Sequence, residues 1–215
     1  VIRESEAGIL VEVSPETAKI TEVKYPEKTD KISNQWIGIA RATGNSSQIL
    51  VTATEANFNS SSSVQVLQHK GLGKNINFIT PPNKRYSTNK EYLLTDGIVG
   101  SRPWAGNQWL GFNNGNVEFV TYNDIPNTNF VTISALDATS SWIHLPKTII
   151  VSTSKDGVKW NSIAVEKVVG EKTKISLKKA KQILKFTIIP LDKIPAGMEG
   201  EGYKPFTFLD ELIFE

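Results

Sequence analysis

"YLLTDGIVGSRPWAGNQWLGF", residues 92–112, sets two tryptophans, four glycines and one Asp-Gly turn within a single stretch. Strands favour Val, Ile, Thr and aromatics, whereas Gly and Asp mark turns. The stretch therefore reads as loops held by a few anchoring aromatics. Its surroundings decide the fold class. Short apolar runs recur on both sides: "GILVEVS" (8–14), "WIGIARAT" (36–43), "QILVTATEA" (48–56), "NINFIT" (75–80), "VEFVTYN" (117–123), "FVTISAL" (130–136), "KTIIVSTS" (147–154), "WNSIAVEKVV" (160–169), "ILKFTIIPL" (183–191) and "FTFLDELIFE" (206–215). Short strands divided by turn signals predict an all-β sandwich or barrel.

The turn "GNSS" (44–47) predicts a hairpin between the runs at 36–43 and 48–56, and the four serines at 60–63 read as a polar turn before another strand. In the segment 70–87, Gly71 and Gly73 loosen the chain, and Pro81-Pro82 ends a strand because proline lacks the ladder donor. That segment is the expected junction. Residues 1–70 then form a small immunoglobulin-like β-sandwich, and residues 71–215 a second, larger one.

The chain has 215 residues, enough for one large or two ordinary domains. At 39% hydrophobic and 21% charged, it fits a globular protein. Net charge is +2, and only four of the 24 basic residues are Arg. The densest basic run, "KTKISLKKAKQILK" (172–185), alternates with apolar residues. It reads as a strand or short helix with a solvated lysine face, not as a nucleic-acid patch. No stretch approaches the roughly 18 apolar residues that span a membrane. The start "VIRESEAG" lacks both an initiator Met and a signal-peptide core, as expected of a fragment of a longer polypeptide.

Composition also limits catalysis. There is no cysteine, and His69 and His144 are the only histidines. A thiol nucleophile and a three-histidine metal site are therefore excluded. No "GxSxG" elbow accompanies either histidine. A carboxylate pair for glycoside hydrolysis is not excluded by composition.

The ordered pieces "HKGLGK", "PPNKRYS", "YLLTDGIVGS", "WLGF", "SSWIHLPKTIIVSTSKDGVKW" and "IPAGMEGEGYKPFTFLDELIFE" carry a resemblance over residues 69–215. This part resembles a discoidin-like domain, the jelly-roll sandwich of coagulation-factor C-type domains and family 32 carbohydrate-binding modules. More narrowly, it is similar to the C-terminal region of bacterial family 20 β-N-acetylhexosaminidases. In those enzymes a small β domain often comes first, with a "YTxDGxxP" turn for which "YPEKTDK" (25–31) is a worn substitute. Their catalytic Asp-Glu pair belongs to a barrel that nothing here resembles; Asp210-Glu211 lies in the terminal strand. The resemblance implies a non-catalytic part of an exported, secreted, periplasmic or cell-surface glycosidase-like protein. Its partners would be a glycan of galactose or N-acetylhexosamine type and a catalytic domain of the same polypeptide.

The resemblance also implies a structural Ca²⁺ held by Asp96, Ser101 and Glu211 with loop carbonyls. The alternative is that Asp96 only caps its turn through the backbone. For the glycan, Trp104 in "SRPWAGN" is expected as an exposed platform for the apolar face of a pyranose ring. Arg102 and Asn107 would then bond hydroxyls. Trp142 and His144, two apart, share a face if the segment is extended; Trp142 reads as packing or as a sugar contact, and His144, standing where a Phe is usual, as a structural residue or as a partner for a sugar hydroxyl. Tyr203 is the aromatic of the third loop, "AGMEGEGYKP" (196–205). Trp109 and Trp160 read as core. A second reading stays open, in which both β units buttress a catalytic domain or mediate protein contact and bind no glycan.

Overall fold

The computed structural model describes residues 2–5, 8–12, 19–25, 28–30, 35–38, 46–55, 58–67, 69–87, 93–100, 102–104, 108–121, 128–180 and 183–215, with the backbone alone for 2–66 and 178–180. These residues are almost entirely β. The first part holds β1 (Ile2–Ser5), β2 (Gly8–Glu12), β3 (Lys19–Tyr25), β4 (Lys28–Asp30), β5 (Gln35–Gly38), β6 (Ser46–Glu55) and β7 (Phe58–Leu67). The second holds β8 (Ile76–Phe78), β9 (Leu110–Phe112), β10 (Val117–Thr121), β11 (Thr128–Ala135), β12 (Thr148–Ser154), β13 (Asn161–Lys167), β14 (Lys172–Ala180), β15 (Ile183–Ile189) and β16 (Thr207–Phe214). No described helix is long and apolar enough to cross a membrane.

Four antiparallel sheets result, ordered β1-β2-β5, β4-β3-β6-β7, β13-β12-β15-β10-β8 and β14-β11-β16-β9. The expected hairpin across residues 44–47 does not form. β5 pairs with β2, while β6 pairs with β3 and β7, so the two runs belong to different sheets. The serine run is likewise no turn: Ser60–Ser63 lie inside β7, opposite Ala53 to Leu50. Serine carries no strong backbone veto, and a ten-residue neighbouring strand overrides its turn preference. "YPEKTDK" does turn the chain, since Tyr25 and Lys28 face each other across β3 and β4.

The last two sheets pack face to face. In β15, Leu184, Phe186 and Ile188 are buried and alternate with the less buried Ile183, Lys185 and Thr187. This is the period of two expected of a strand with one face inward. Val117, Phe119, Ile149 and Val151 join them from the same sheet, and Val131, Ile133, Ile175, Leu212 and Phe214 oppose them. Full burial of each such side chain contributes about 1.5–3 kcal/mol. The lysine-rich run 172–185 supplies β14 and the start of β15; in β14, Ile175 and Leu177 are buried and Lys172, Lys174 and Ser176 exposed. Gly71 does not loosen its segment: a Cβ there would overlap the Phe214 ring.

One irregularity reorders the faces of β16. The register of β11 against β16 steps from Ser134↔Glu211 to Ala135↔Leu209, leaving Asp210 as an extra residue. Such a bulge shifts the alternation by one. Leu209 and Leu212, three apart, therefore both reach the main core, while Phe208 joins a second cluster with Trp109, Leu136 and Ile143.

Candidate functional site

β16 links the two ends of the second sandwich. At its close, the Lys70 N–H donates to the Phe214 carbonyl (2.9 Å). At its start, Thr207 faces Phe112, and three loops gather around Phe206 and Phe208. The Phe206 N–H donates to the Trp142 carbonyl (2.8 Å), and the His144 N–H donates to the Phe206 carbonyl (2.9 Å). Tyr86 meets Phe206, Phe208 and Trp104 with ring centroids 5.2, 5.1 and 5.6 Å apart. The loops bearing Arg102 and Trp104, Trp142 and His144, and Tyr203 thus converge.

Convergence does not give each residue its expected role. Trp104 is half-buried, edge-on to Tyr86 and to Phe208 (5.3 Å), and packs on the second cluster. The ring is thus engaged in packing, where an exposed platform was expected. The Arg102 guanidinium bonds the Asp137 carbonyl (3.3 Å from both Nη atoms) and pairs with the Glu171 carboxylate. Asn107 lies outside the described residues.

Trp142 has a left-handed backbone (φ 61°), so the residues around it are not extended and its alternation with His144 is lost. Its ring lies parallel to Tyr203, centroids 5.2 Å apart at 22°. Gly200 makes room for it, since a Cβ there would stand 2.5 Å from the indole. Tyr203 itself is 64% exposed. His144 is only 4% exposed, and its buried Nε2 has no hydrogen-bond partner among the described residues. Burial lowers its pKa, partly opposed by the charge of Asp137. A buried neutral ring replaces the hydroxyl-binding role expected of it. Trp109 is core, as expected, whereas Trp160 is half-buried with the Lys185 ammonium 5.3 Å from its centroid.

Asp96 and Glu211 meet at one loop. Asp96 Oδ1 accepts from the Ile98 N–H (2.8 Å), an Asx turn. Glu211 Oε2 accepts from the Gly97 N–H (2.9 Å), and Oε1 lies 3.0 Å from His69 Nε2. His69 Nδ1 in turn faces the N–H groups of Gly71 (3.1 Å) and Phe214 (3.3 Å). These partners are N–H donors, which serve carboxylates; a hard cation wants six to eight oxygens. Among the described residues no group of three or more His, Asp or Glu could hold a metal ion. Ser101, the third expected ligand, lies outside the described residues. Asp96 and Glu211 thus each commit an oxygen to a backbone N–H.

Sequence reading missed a groove of about 240 Å³ beside the third loop. Asn113, Asn116, Leu191, Asp192, Lys204 and Pro205 line it. Lys204 directly follows Tyr203 in the chain. In sequence, "NNGN" and "PLDK" signal only polar turns, and nothing there says that they meet.

No protein-family model matches the sequence, and no curated protein does. Among solved structures, the chain is similar to the module CpGH89CBM32-4 of Clostridium perfringens, with 12% identity over 68% of this chain and 98% of that one (TM-score 0.45). A fucose binding module of Streptococcus pneumoniae, SpX-3, is similar with 10% identity over 69% and 98% (TM-score 0.46). CBM32-3 from a family 31 glycoside hydrolase of Clostridium perfringens is similar with 14% identity over 65% and 90% (TM-score 0.42). At these identities the likeness is one of fold alone.

Proposed function

We propose that this chain is the non-catalytic, carbohydrate-binding part of an exported bacterial glycoside-hydrolase-like protein, dividing near residue 70 into a small β unit and a discoidin-like sandwich. Its role is to tether the attached catalytic domain to glycans, which raises the local substrate concentration. The observation that carries the reading is Tyr203: an exposed aromatic held by a parallel stack on Trp142, next in the chain to a groove large enough for one sugar ring. Pyranose rings present an apolar C–H face to such aromatics and hydroxyls to nearby amides and charges. The test is a fluorescence titration with galactose, N-acetylgalactosamine and N-acetylglucosamine, in wild type and in Tyr203→Ala. Saturable binding that weakens at least tenfold in the variant is expected.

A structural-accessory reading has its own support. Arg102 and Trp104, two of the expected sugar contacts, are committed to internal partners. Absence of binding to every glycan, with the fold intact, would favour it.

A further inference from the structure

We infer that the groove lined by Asn113, Asn116, Asp192 and Lys204 receives an acidic sugar, with its carboxylate or sulfate set against Lys204. The inference rests on the carbohydrate-binding reading above and goes beyond it in naming the ligand's charge.

Asn113 Oδ1 already accepts from Asn83 Nδ2 (3.1 Å), so the Asn113 side chain has its NH₂ left to offer. The Asn116 carbonyl accepts from Thr80 Oγ1 (2.8 Å), and among the described residues its side-chain amide has no partner. Asp192, the one acid in the lining, is matched by Lys147, whose Nζ lies 2.8 Å from Oδ2. Glu201, on the loop that precedes Lys204, accepts from the Gly197 N–H (2.9 Å). Lys204 is exposed and pairs with no acid among the described residues. The groove therefore offers the side-chain amides of Asn113 and Asn116 and, at Lys204, an ammonium with no acid beside it among the described residues.

A neutral sugar brings hydroxyls that both donate and accept, and leaves the ammonium unmatched. A uronic acid or sulfated sugar adds acceptor-only oxygens at one edge of the ring, and a charge-assisted bond to lysine is stronger than a neutral one. The groove's volume is below the roughly 300 Å³ at which drug-sized pockets begin, which suits one ring.

The experiment is an NMR titration of the whole chain with two ligand pairs: methyl β-glucuronide against methyl β-glucoside, and galactose 6-sulfate against galactose. Because Lys204 is exposed, the pair is worth about a fivefold preference for the acidic member at low salt. In Lys204→Gln the preference for the acidic member is expected to vanish, and in wild type it should shrink with added salt. Preference in both pairs assigns the anion in general; preference in one assigns carboxylate or sulfate. Equal binding of acidic and neutral members, or a preference that survives Lys204→Gln, overturns the inference and leaves the carbohydrate-binding reading standing. Failure of every sugar to bind overturns both.

Discussion

His69 Nε2 lies 3.0 Å from Glu211 Oε1, with the two side chains 1% and 0% exposed. Geometry alone would admit an ion pair, but the other ring nitrogen decides the charge. Nδ1 faces two backbone N–H groups, which need an acceptor there. The ring is therefore neutral, with its proton on Nε2 donated to Glu211. Burial agrees with this by pushing the His69 pKa down to about 4.

A pH dependence results. The unfolded chain takes up this proton near 6.5 and the folded one only near 4, so this group's contribution is complete above about 6.5. It is lost as pH falls from there to about 4, amounting to about 3 kcal/mol. Chemical denaturation between pH 4 and 7 should show the decline, and His69→Gln should flatten it.

Asp210 is expected to act in the opposite sense. Burial raises its pKa, offset in part by bonds from Ser134 and the Gly100 N–H. The unfolded chain then ionises first as pH rises, so this group lowers stability above about pH 4. Asp210→Asn cannot ionise, and its stability relative to wild type should be greater at pH 7 than at pH 4.

Packing and recognition should separate by mutation. Trp104→Ala removes a ring wedged between Tyr86 and Phe208 and should cost about 2–3 kcal/mol in stability. Tyr203→Ala removes an exposed ring and should cost about 1 kcal/mol or less while weakening glycan binding. Paired melting and titration curves on both variants check this.

Gly200 is expected to be indispensable to the aromatic stack. Its φ of 79° disfavours any side chain, and a Cβ would strike the Trp142 indole. Gly200→Ala should destabilise by about 1–3 kcal/mol and change the Trp emission even without ligand.

Chelation is expected to do little. Because N–H donors already meet Asp96 and Glu211, EDTA should leave the melting temperature unchanged, and added Ca²⁺ should not raise it. Calorimetry in both conditions tests this against the ligand set that the family resemblance implies.

The second sandwich was legible in the sequence because its strands alternate over long runs, as in "ILKFTII". The bulge at Asp210 was not: it arises from pairing with β11, and "FLDEL" reads equally well without it. In the first part, the false hairpin at 44–47 came from a local turn signal that long-range pairing with β2 and β3 overrode. At the site, aromatic loop residues were visible by type, but whether an aromatic is free or folded back depends on distant rings. Trp104 was misread for that reason, through Tyr86 and Phe208. The groove escaped notice because its walls come from three separated turns, each unremarkable alone.

β16 has one more implication. Its eight residues, at about 3.3 Å each, set the loops around Phe206 about 26 Å from the Lys70–Phe214 hydrogen bond. Residues 70 and 214, far apart in sequence, are hydrogen-bonded neighbours there. The loops at the far end of β16 can therefore vary in sequence without disturbing the rung that ties these two distant stretches together.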